Sequence, residues 1–596
     1  MERVSESWIF RACLLFILIG AVWGGVQAEQ LSQTYMPGEV IVRYADIGSG
    51  TAIASVASSL NTEIGADTIY SEEKLGIKGM QVVKIPDTMS VTEAVQYFKS
   101  NDYVSYAEPN FVTYLPGPIG GTGNSISESG EETPGMTIPD DPDFNLQWGL
   151  YNTLNISTER ADISAPEAWN ITTGSPDIIV AVIDTGVDFN HEDLADNCLS
   201  GYNFVDFDEN PVDDNGHGTH CAGIISAVTN NSIGIAGVSW NSKILPVKVF
   251  DSTGKSNVAL EIMGIKYAER EGADIISCSW GGYTYSETLK EVIDKSPALF
   301  VCAAGNEGYD IDEIPHYPAA YSSPNIISVG ASDGRDMPAW FSNYGVSSVD
   351  LFAPGTEIYS TIPGTYGFMD GTSMAAPFVS GVAALIKGQK PDYDAIAVKN
   401  LILSSVDQKY WLDAVCSTGG RLNAYRPLSQ VLPLTADFKA EPSSGTIPLN
   451  VQFTDLSSGN PESWRWTFGD GFESSGQQNP THMYMKPGKY SVTLTIFKEG
   501  LSSFAEMEDY INVKPPFQPV KAFPDKKGGY HPVPTDQDDD GLFEDINGNG
   551  WLEYGDPKLL FDQILFAIKE EPVGQFDFDG SGFIGFGDVV KLYQMV

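Results

Sequence analysis

Between residues 141 and 430, short apolar runs alternate with helical segments, and this alternation narrows the fold more than any other feature. Ile178–Ile183, Ile244–Val249, Ala273–Ser277, Leu299–Ala303 and Ile326–Val329 have the length and β-branched content of strands. Segments such as Val258–Arg270 and Ser373–Gly388 have the length and pattern of helices. Strands apolar at every position must be covered on both faces, and parallel neighbours need crossovers long enough to hold a helix. The expectation is an α/β domain built on a parallel sheet. At 596 residues the chain exceeds one core, so further domains flank it.

On the N-terminal side, residues 29–114 hold a compact unit of mixed pattern. Glu39–Arg43 and Met80–Ile85 read as strands, Thr51–Ile64 and Val91–Ser100 as helices, and Val104–Asn110 as a closing edge strand. Residues 115–140, rich in Gly, Pro, Ser, Thr and Glu, read as a linker. After the α/β region, residues 434–514 carry short strands (Leu449–Phe453, Trp464–Phe468, Lys489–Ile496) between Gly/Pro/Asn turns, the pattern of a small all-β sandwich. A Pro-rich linker, 515–534, leads to an acidic tail, 535–596, with two loop-plus-helix units.

The first 28 residues read as a signal peptide. Arg3 and Arg11 supply charge, Ala12–Val22 is an apolar run too short to span a bilayer comfortably, and Val26-Gln27-Ala28 ends it with small residues. The expectation is a secreted or extracellular protein, with surface association through the tail and no membrane span in the mature form. The net charge of −45 disfavours nucleic-acid partners and suits bound divalent cations. Of six cysteines, Cys13 lies in the leader. The remaining five cannot all pair within one chain, and none has metal-ligand spacing. Three sequons, at Asn155, Asn170 and Asn230, permit glycosylation.

Three segments of the α/β region carry chemistry. Asp184-Thr185-Gly186 follows an apolar strand, His217-Gly218-Thr219-His220-Cys221-Ala222-Gly223 comes next, and Gly371-Thr372-Ser373-Met374-Ala375-Ala376-Pro377 opens an apolar helix. A serine hydroxyl is a weak nucleophile. It needs an imidazole to take its proton and a carboxylate to hold that imidazole in one tautomer. Each residue has a bland alternative: Asp184 as a turn, His220 instead of His217, Ser373 as a helix cap. Their co-occurrence with Val301-Cys302-Ala303-Ala304-Gly305-Asn306-Glu307-Gly308 reverses that balance.

The order Asp, His, Ser and these boxes together closely resemble the subtilase family, thermitase and proteinase K branches included, over residues 141–430. The resemblance implies a serine endopeptidase acting on polypeptide substrates, with Asp184, His217 and Ser373 as its triad and Asn306 as oxyanion donor. It also implies that Ser279-Trp280-Gly281 pairs with an extended substrate and that Ala304-Gly305 forms the opposite wall of the pocket, with Glu307 suited to basic or polar side chains. The N-terminal unit resembles the inhibitory propeptides of subtilases through Glu39–Tyr44, Met80–Asp87 and Val104–Asn110. That implies a ferredoxin-like βαββαβ fold serving as the enzyme's own inhibitor, with maturation between Tyr114 and Asp141. The β-module resembles a PKD domain through Trp466–Gly471, Asn479–His482 and Pro487–Tyr490.

Calcium is the expected cofactor. By resemblance, a strong site is echoed by Asp141, Asp193, Asn231 and the backbone carbonyls of Thr229, Ile233 and Ile235, and a second site by Asp206 and Asp208. In the tail, Asp545, Asn547, Asn549 and Asp556 stand at loop positions 1, 3, 5 and 12, and Asp577, Asp579, Ser581 and Asp588 repeat the pattern. Asp536, Asp538 and Asp540 precede the first loop. Aspartate at position 12 resembles dockerin loops, which implies a cohesin-like or cell-surface partner. The rival reading of the whole chain is a non-catalytic binding protein on a decayed protease scaffold.

Overall fold

The computed structural model describes residues 34–46, 50–116, 119–120, 136–152, 160–498 and 500–515, and a discontinuous set between 523 and 595. The signal-peptide reading and most loop positions of the tail lie outside the described residues. The chain divides into two compact units, Met1–Val431 and Leu432–Val596.

The first unit begins with the expected βαββαβ order. Strand β1 (Tyr35–Tyr44), the helix Gly50–Ile64, β2 (Asp67–Tyr70), β3 (Met80–Lys84), the helix Val91–Lys99 and β4 (Val104–Tyr114) form an antiparallel sheet in the order β2-β3-β1-β4. Both helices pack their apolar sides, among them Ile53, Leu60, Ala94 and Phe98, on Val40, Val42 and Val83. Ser90 and Glu93 close the second helix with reciprocal side-chain-to-backbone bonds, which satisfies two orphan donors of its first turn. The sheet's other face presents Ile41, Met80 and Val82 to a core shared with the α/β region. A short strand, β5 (Ile119–Gly120), follows.

The α/β region is a nine-stranded sheet. It comprises β6 (Ile179–Asp184), β7 (Tyr202–Asn203), β8 (Lys243–Lys248), β10 (Ile275–Cys278), β11 (Leu299–Ala303), β12 (Ile326–Ser332), β13 (Leu351–Pro354), β16 (Asp407–Gln408) and β17 (Gly420–Arg421). Its order is β16-β17-β13-β12-β11-β10-β6-β8-β7, and every pairing is parallel except β16–β17. Helices His217–Ser226 and Thr372–Gln389 cover one face, and Val258–Arg270 and Glu287–Asp294 the other. The central strands are therefore buried at every residue. Outside this sheet, β9 (Lys255–Asn257) extends the N-terminal sheet beyond β4, and β14 (Ile358–Ile362) with β15 (Thr365–Asp370) forms a hairpin that also pairs with β5. Among the described residues all five cysteines carry free thiols, and four are buried.

In the second unit, strands from Phe438–Glu441 to Leu501–Lys514 form a three-stranded and a five-stranded sheet around Phe438, Phe453, Trp466, Tyr484 and Leu494. The tail contributes helices Gly555–Asp562 and Phe586–Met595, whose Leu560, Val589 and Leu592 share a small core with Phe523 and Phe576.

Candidate active site

Asp184 is the last residue of β6, His217 the first of one helix and Ser373 the second of another, all at the carboxyl edge of the parallel sheet. His217 Nδ1 lies 2.8 Å from Asp184 Oδ1 and 3.0 Å from Oδ2. The close approach depends on Gly218, where a Cβ would stand 2.1 Å from the Gly186 carbonyl oxygen and 3.0 Å from Asp184 Cβ. Asp213 ties the two elements together. Its carboxylate accepts from the backbone N–H of Gly216 and Thr219, from the Thr219 hydroxyl and from the Thr185 hydroxyl. Burial pulls the His217 pKa down, but the charge and hydrogen bond of Asp184 outweigh it and the net shift is upward. The opposite nitrogen, Nε2, is buried without a partner.

Ser373 Oγ donates to the Ser279 carbonyl at 3.1 Å. Pro377, inside the same helix, has no N–H to return to the Ser373 carbonyl four residues back. That oxygen accepts from Ser279 Oγ at 2.9 Å and from Cys221 Sγ at 3.4 Å instead. His220 is held between the carbonyls of Ile358 and Gly367, and burial together with His217 pushes its pKa down to about 3. It is a neutral structural histidine.

Asn306 is oriented by its oxygen. Oδ1 accepts from the Thr372 N–H and hydroxyl, both at 2.9 Å, and Nδ2 is left buried and unpaired beside the start of the Ser373 helix. Gly305 N–H donates to the same Thr372 hydroxyl, with φ at +103°. Trp280 is fully buried and donates its indole N–H to the Ile183 carbonyl, so only its backbone borders the cleft. Ala304 is likewise buried, its carbonyl accepting from Asn343 Nδ2.

The N-terminal unit lies in this cleft. β4 pairs antiparallel with β9 at Val112–Tyr114, the Tyr114 carbonyl faces the Gly281 N–H at 3.5 Å, and Leu115 N–H donates to the Gly254 carbonyl at 2.9 Å. Just before Ser373 in the chain, Asp370 and Met369 pair with Ile119 and Gly120. Residues 115–120, which read as linker by composition, thus include two segments with backbone partners in the α/β region. Upstream, Glu108 accepts from Ser286 Oγ and from the N–H groups of Glu287 and Thr288, capping another helix across the interface. Asn110 does the same for Val258–Arg270 by accepting from Ala259 N–H.

The first candidate cation site is partly assembled. Asp141 accepts from the N–H of Asn230 and Asn231, and Asp193 from Asn231 Nδ2 and Ile235 N–H. Asn231 Oδ1 accepts from Ile233 N–H, and Thr229 Oγ1 bonds the loop internally. Burial raises both carboxyls, Asp193 to about 6; the charge of Asp140 adds to the rise at Asp141, and that of Asp141 to the rise at Asp193. Two buried carboxyls beside a carbonyl-rich loop are a donor set that fits a hard cation. Asp206 and Asp208 cap a turn, accepting from Asn203 Nδ2 and Asn210 N–H. In the tail, Asp556 and Asp588 are fully buried at helix starts, and Asp588 accepts from Gly585 N–H at 2.6 Å. Asp577 is described. Asp536, Asp538, Asp540, Asp545, Asn547, Asn549, Asp579 and Ser581 lie outside the described residues.

Sequence reading did not single out Asp213, Thr372 or Asn343, which hold the site's geometry. Asp213 stood in an Asp-rich turn, where its spacing of four before His217 was the available signal.

A carboxylate-held imidazole and a serine at a helix start, on the carboxyl edge of a parallel sheet, define a serine hydrolase of the acyl-transfer class. Residues 175–426 match the subtilase family, 433–513 the PKD domain and 24–110 the fervidolysin N-terminal prodomain. The chain is 43% identical to thermitase of Thermoactinomyces vulgaris over 273 residues, 44% of this chain and 92% of that protein. It is 35% identical to a thermophilic serine proteinase of Bacillus sp. (strain AK1), over 66% of this chain and 88% of that one. Fervidolysin from Fervidobacterium pennivorans, described as a keratinolytic enzyme related to subtilisin, shares the fold with a TM-score of 0.55 at 22% identity, covering 81% of this chain and 78% of that one. The chain belongs to the subtilase family. It is a serine endopeptidase made as a propeptide-bearing precursor. Among the described residues no helix is long and apolar enough to cross a membrane.

Proposed function

We propose that Ser373, His217 and Asp184 carry the peptide-bond hydrolysis and that Asn306 stabilises its tetrahedral intermediate. The observation that carries this reading is the His217 ring, fixed through Nδ1 by Asp184 with Nε2 buried and unpaired. For attack, Ser373 Oγ turns from the Ser279 carbonyl to His217 Nε2, which takes its proton as the C–O bond forms. The negative charge on the former carbonyl oxygen is met by Asn306 Nδ2 and the Ser373 N–H. His217 then passes the proton to the leaving amine, and water repeats the sequence on the acyl-enzyme. The backbone of Ser279–Gly281 aligns the substrate as an added strand, with Ala304 and Gly305 opposite; the pairing of Tyr114 with Gly281 supports this.

Residues 29–114 act as the inhibitor, 141–430 as the catalytic domain, 434–514 as a PKD spacer and 535–596 as a calcium-dependent docking domain for a cohesin-like or cell-surface partner, in a protein that works outside the cell. Asp141, Asp193, Asn231 and the carbonyls of Thr229, Ile233 and Ile235 would hold Ca2+, which braces the loop; Asp206 with Asp208, and the tail acids, are further candidates. Ser373→Ala tests the catalytic reading. The expected outcome is no caseinolysis and a precursor that keeps its N-terminal unit; survival of either process would overturn Ser373 as the nucleophile, and a wild type inactive in both would favour the non-catalytic scaffold.

A further inference from the structure

Strand β8 ends in a side chain that packing alone does not explain. Ile244, Leu245 and Val247 are buried apolar residues, and Lys248, only 2% exposed, closes the strand. Taking an ammonium out of water is costly unless it is paired. An apolar side chain of similar volume in place of a buried charged pair often leaves a fold as stable, or more so. A lysine at this position is therefore not required to hold the sheet together.

Its partners link the two elements that carry the acid and the base. Lys248 stands in register with Asp184 on the neighbouring parallel strand. Its Nζ donates to the Thr185 carbonyl at 2.6 Å and to Asp214 Oδ1 at 2.7 Å. The Thr185 N–H donates to Asp184 Oδ1 at 2.7 Å, and the Thr185 hydroxyl accepts from the N–H of Gly218, next to His217, at 3.0 Å. That hydroxyl in turn donates to Asp213. With the carbonyl taken by Lys248, every polar group of Thr185 is engaged. On the other side, Asp214 lies three residues before His217 in an exposed loop, and Asn215 Oδ1 accepts from the His217 N–H at 3.3 Å. One buried ammonium thus joins the turn after the acid to the loop before the base.

We propose that Lys248 is a positioning residue for the reaction. It fixes the separation of the Thr185 turn and the His217 loop, and so keeps the carboxylate aligned on the imidazole while the ring gains and loses its proton. This rests on the reading of Asp184 and His217 as acid and base of the triad. Lys248 itself touches neither the substrate nor the reacting atoms. A small misalignment of this pair costs rate and not affinity, because the imidazolium that Asp184 stabilises forms only as the reaction proceeds.

The test is kcat and KM on one peptide, per titrated active site, together with the melting temperature, for the matured wild type and its Lys248→Met, Asp214→Asn and Asp214→Ala variants. Lys248→Met fills the same space without the charge. It should melt close to the wild type yet lose about tenfold or more in kcat with KM unchanged. Asp214→Ala frees one end of the tie and should also lower kcat, by less. Asp214→Asn, the conservative change, keeps an acceptor oxygen and should retain most of what Asp214→Ala loses. A folded Lys248→Met with wild-type kcat overturns the proposal, as does one that loses stability while its kcat per active site is unchanged. If Lys248→Met does not fold or mature, the Asp214 variants decide: equal kcat in Asp214→Asn and Asp214→Ala overturns it. Ser373→Ala serves as control, since peptide cleavage by that variant would overturn the triad reading itself, separately from the tie.

Discussion

Around Asn306 the chemistry depends on which end of one amide faces the nucleophile. Thr372 takes the oxygen with two hydrogen bonds, so the amide nitrogen is the end left unpaired. Asn306→Ala should lower kcat about 10²–10³-fold with little change in KM, because its donor acts on charge that develops only in the transition state. Thr372→Val keeps the side-chain shape and removes the hydroxyl that orients the amide. It should give a smaller fall in kcat, and steady-state kinetics on one peptide separates the two. Residues of the proposed reaction were legible as candidates in the sequence, since Asp184, His217, Ser373 and Asn306 each sit in a short distinctive box. Residues that hold those groups were not, because Asp213, Thr372 and Asn343 act through contacts fixed only by the fold.

At the scale of elements, β6, β8, β10, β11 and β12 were readable because each is a largely apolar run flanked by turn residues, whereas β7, β16 and β17 are two-residue strands with polar side chains and carry no such signal. The prodomain's last strand was cut short by the same logic. Pro116, Gly117 and Pro118 carry poor strand propensity, so composition marks a linker, while the partners that order Leu115 and Ile119 are Gly254 and Asp370, far along the chain. Pairing of Tyr114 with Gly281 and of Ile119 with Asp370, three residues before Ser373, has a direct consequence for maturation. The first cut is expected at one of the peptide bonds between Leu115 and Ile119, and later trimming can move the end toward Asp141. Mass spectrometry of the N-terminal fragment released early in maturation checks this, and a fragment ending before Leu115 or after Ile119 would contradict it. Calcium belongs to this scale too, because Asp141 and Asp193 lie on separate segments that meet at one loop. Removing Ca2+ with a chelator should lower the melting temperature by several degrees, and Asp193→Asn should weaken that dependence.

For the whole molecule, the question is what lets an inhibitor fit tightly and still leave. Part of the answer lies in carboxyls buried between the N-terminal unit and the catalytic domain. Glu261 is fully buried, bonded to the Thr113 hydroxyl with its Oε2 unpaired, and burial pushes its pKa from an ordinary 4.5 up to about 8. Glu108 is shifted in the same direction by burial, although four hydrogen-bond donors oppose it. Once the N-terminal unit departs, Glu261 faces water and its pKa returns toward the ordinary range. The complex then binds more protons than its separated parts between pH 4.5 and about 8. Raising the pH through that window weakens the complex, by up to about tenfold per pH unit for one titrating carboxyl, and above it the dependence flattens. The inhibitory grip is therefore full on the acid side and loosens toward alkaline pH. After the first cut, release of the N-terminal fragment should accelerate as pH rises from 5 to about 8, measured as the delay before full activity appears. Glu261→Gln, neutral at every pH, should flatten the dependence and slow release at the alkaline end. A delay independent of pH in the wild type would show that these carboxyls do not set the grip.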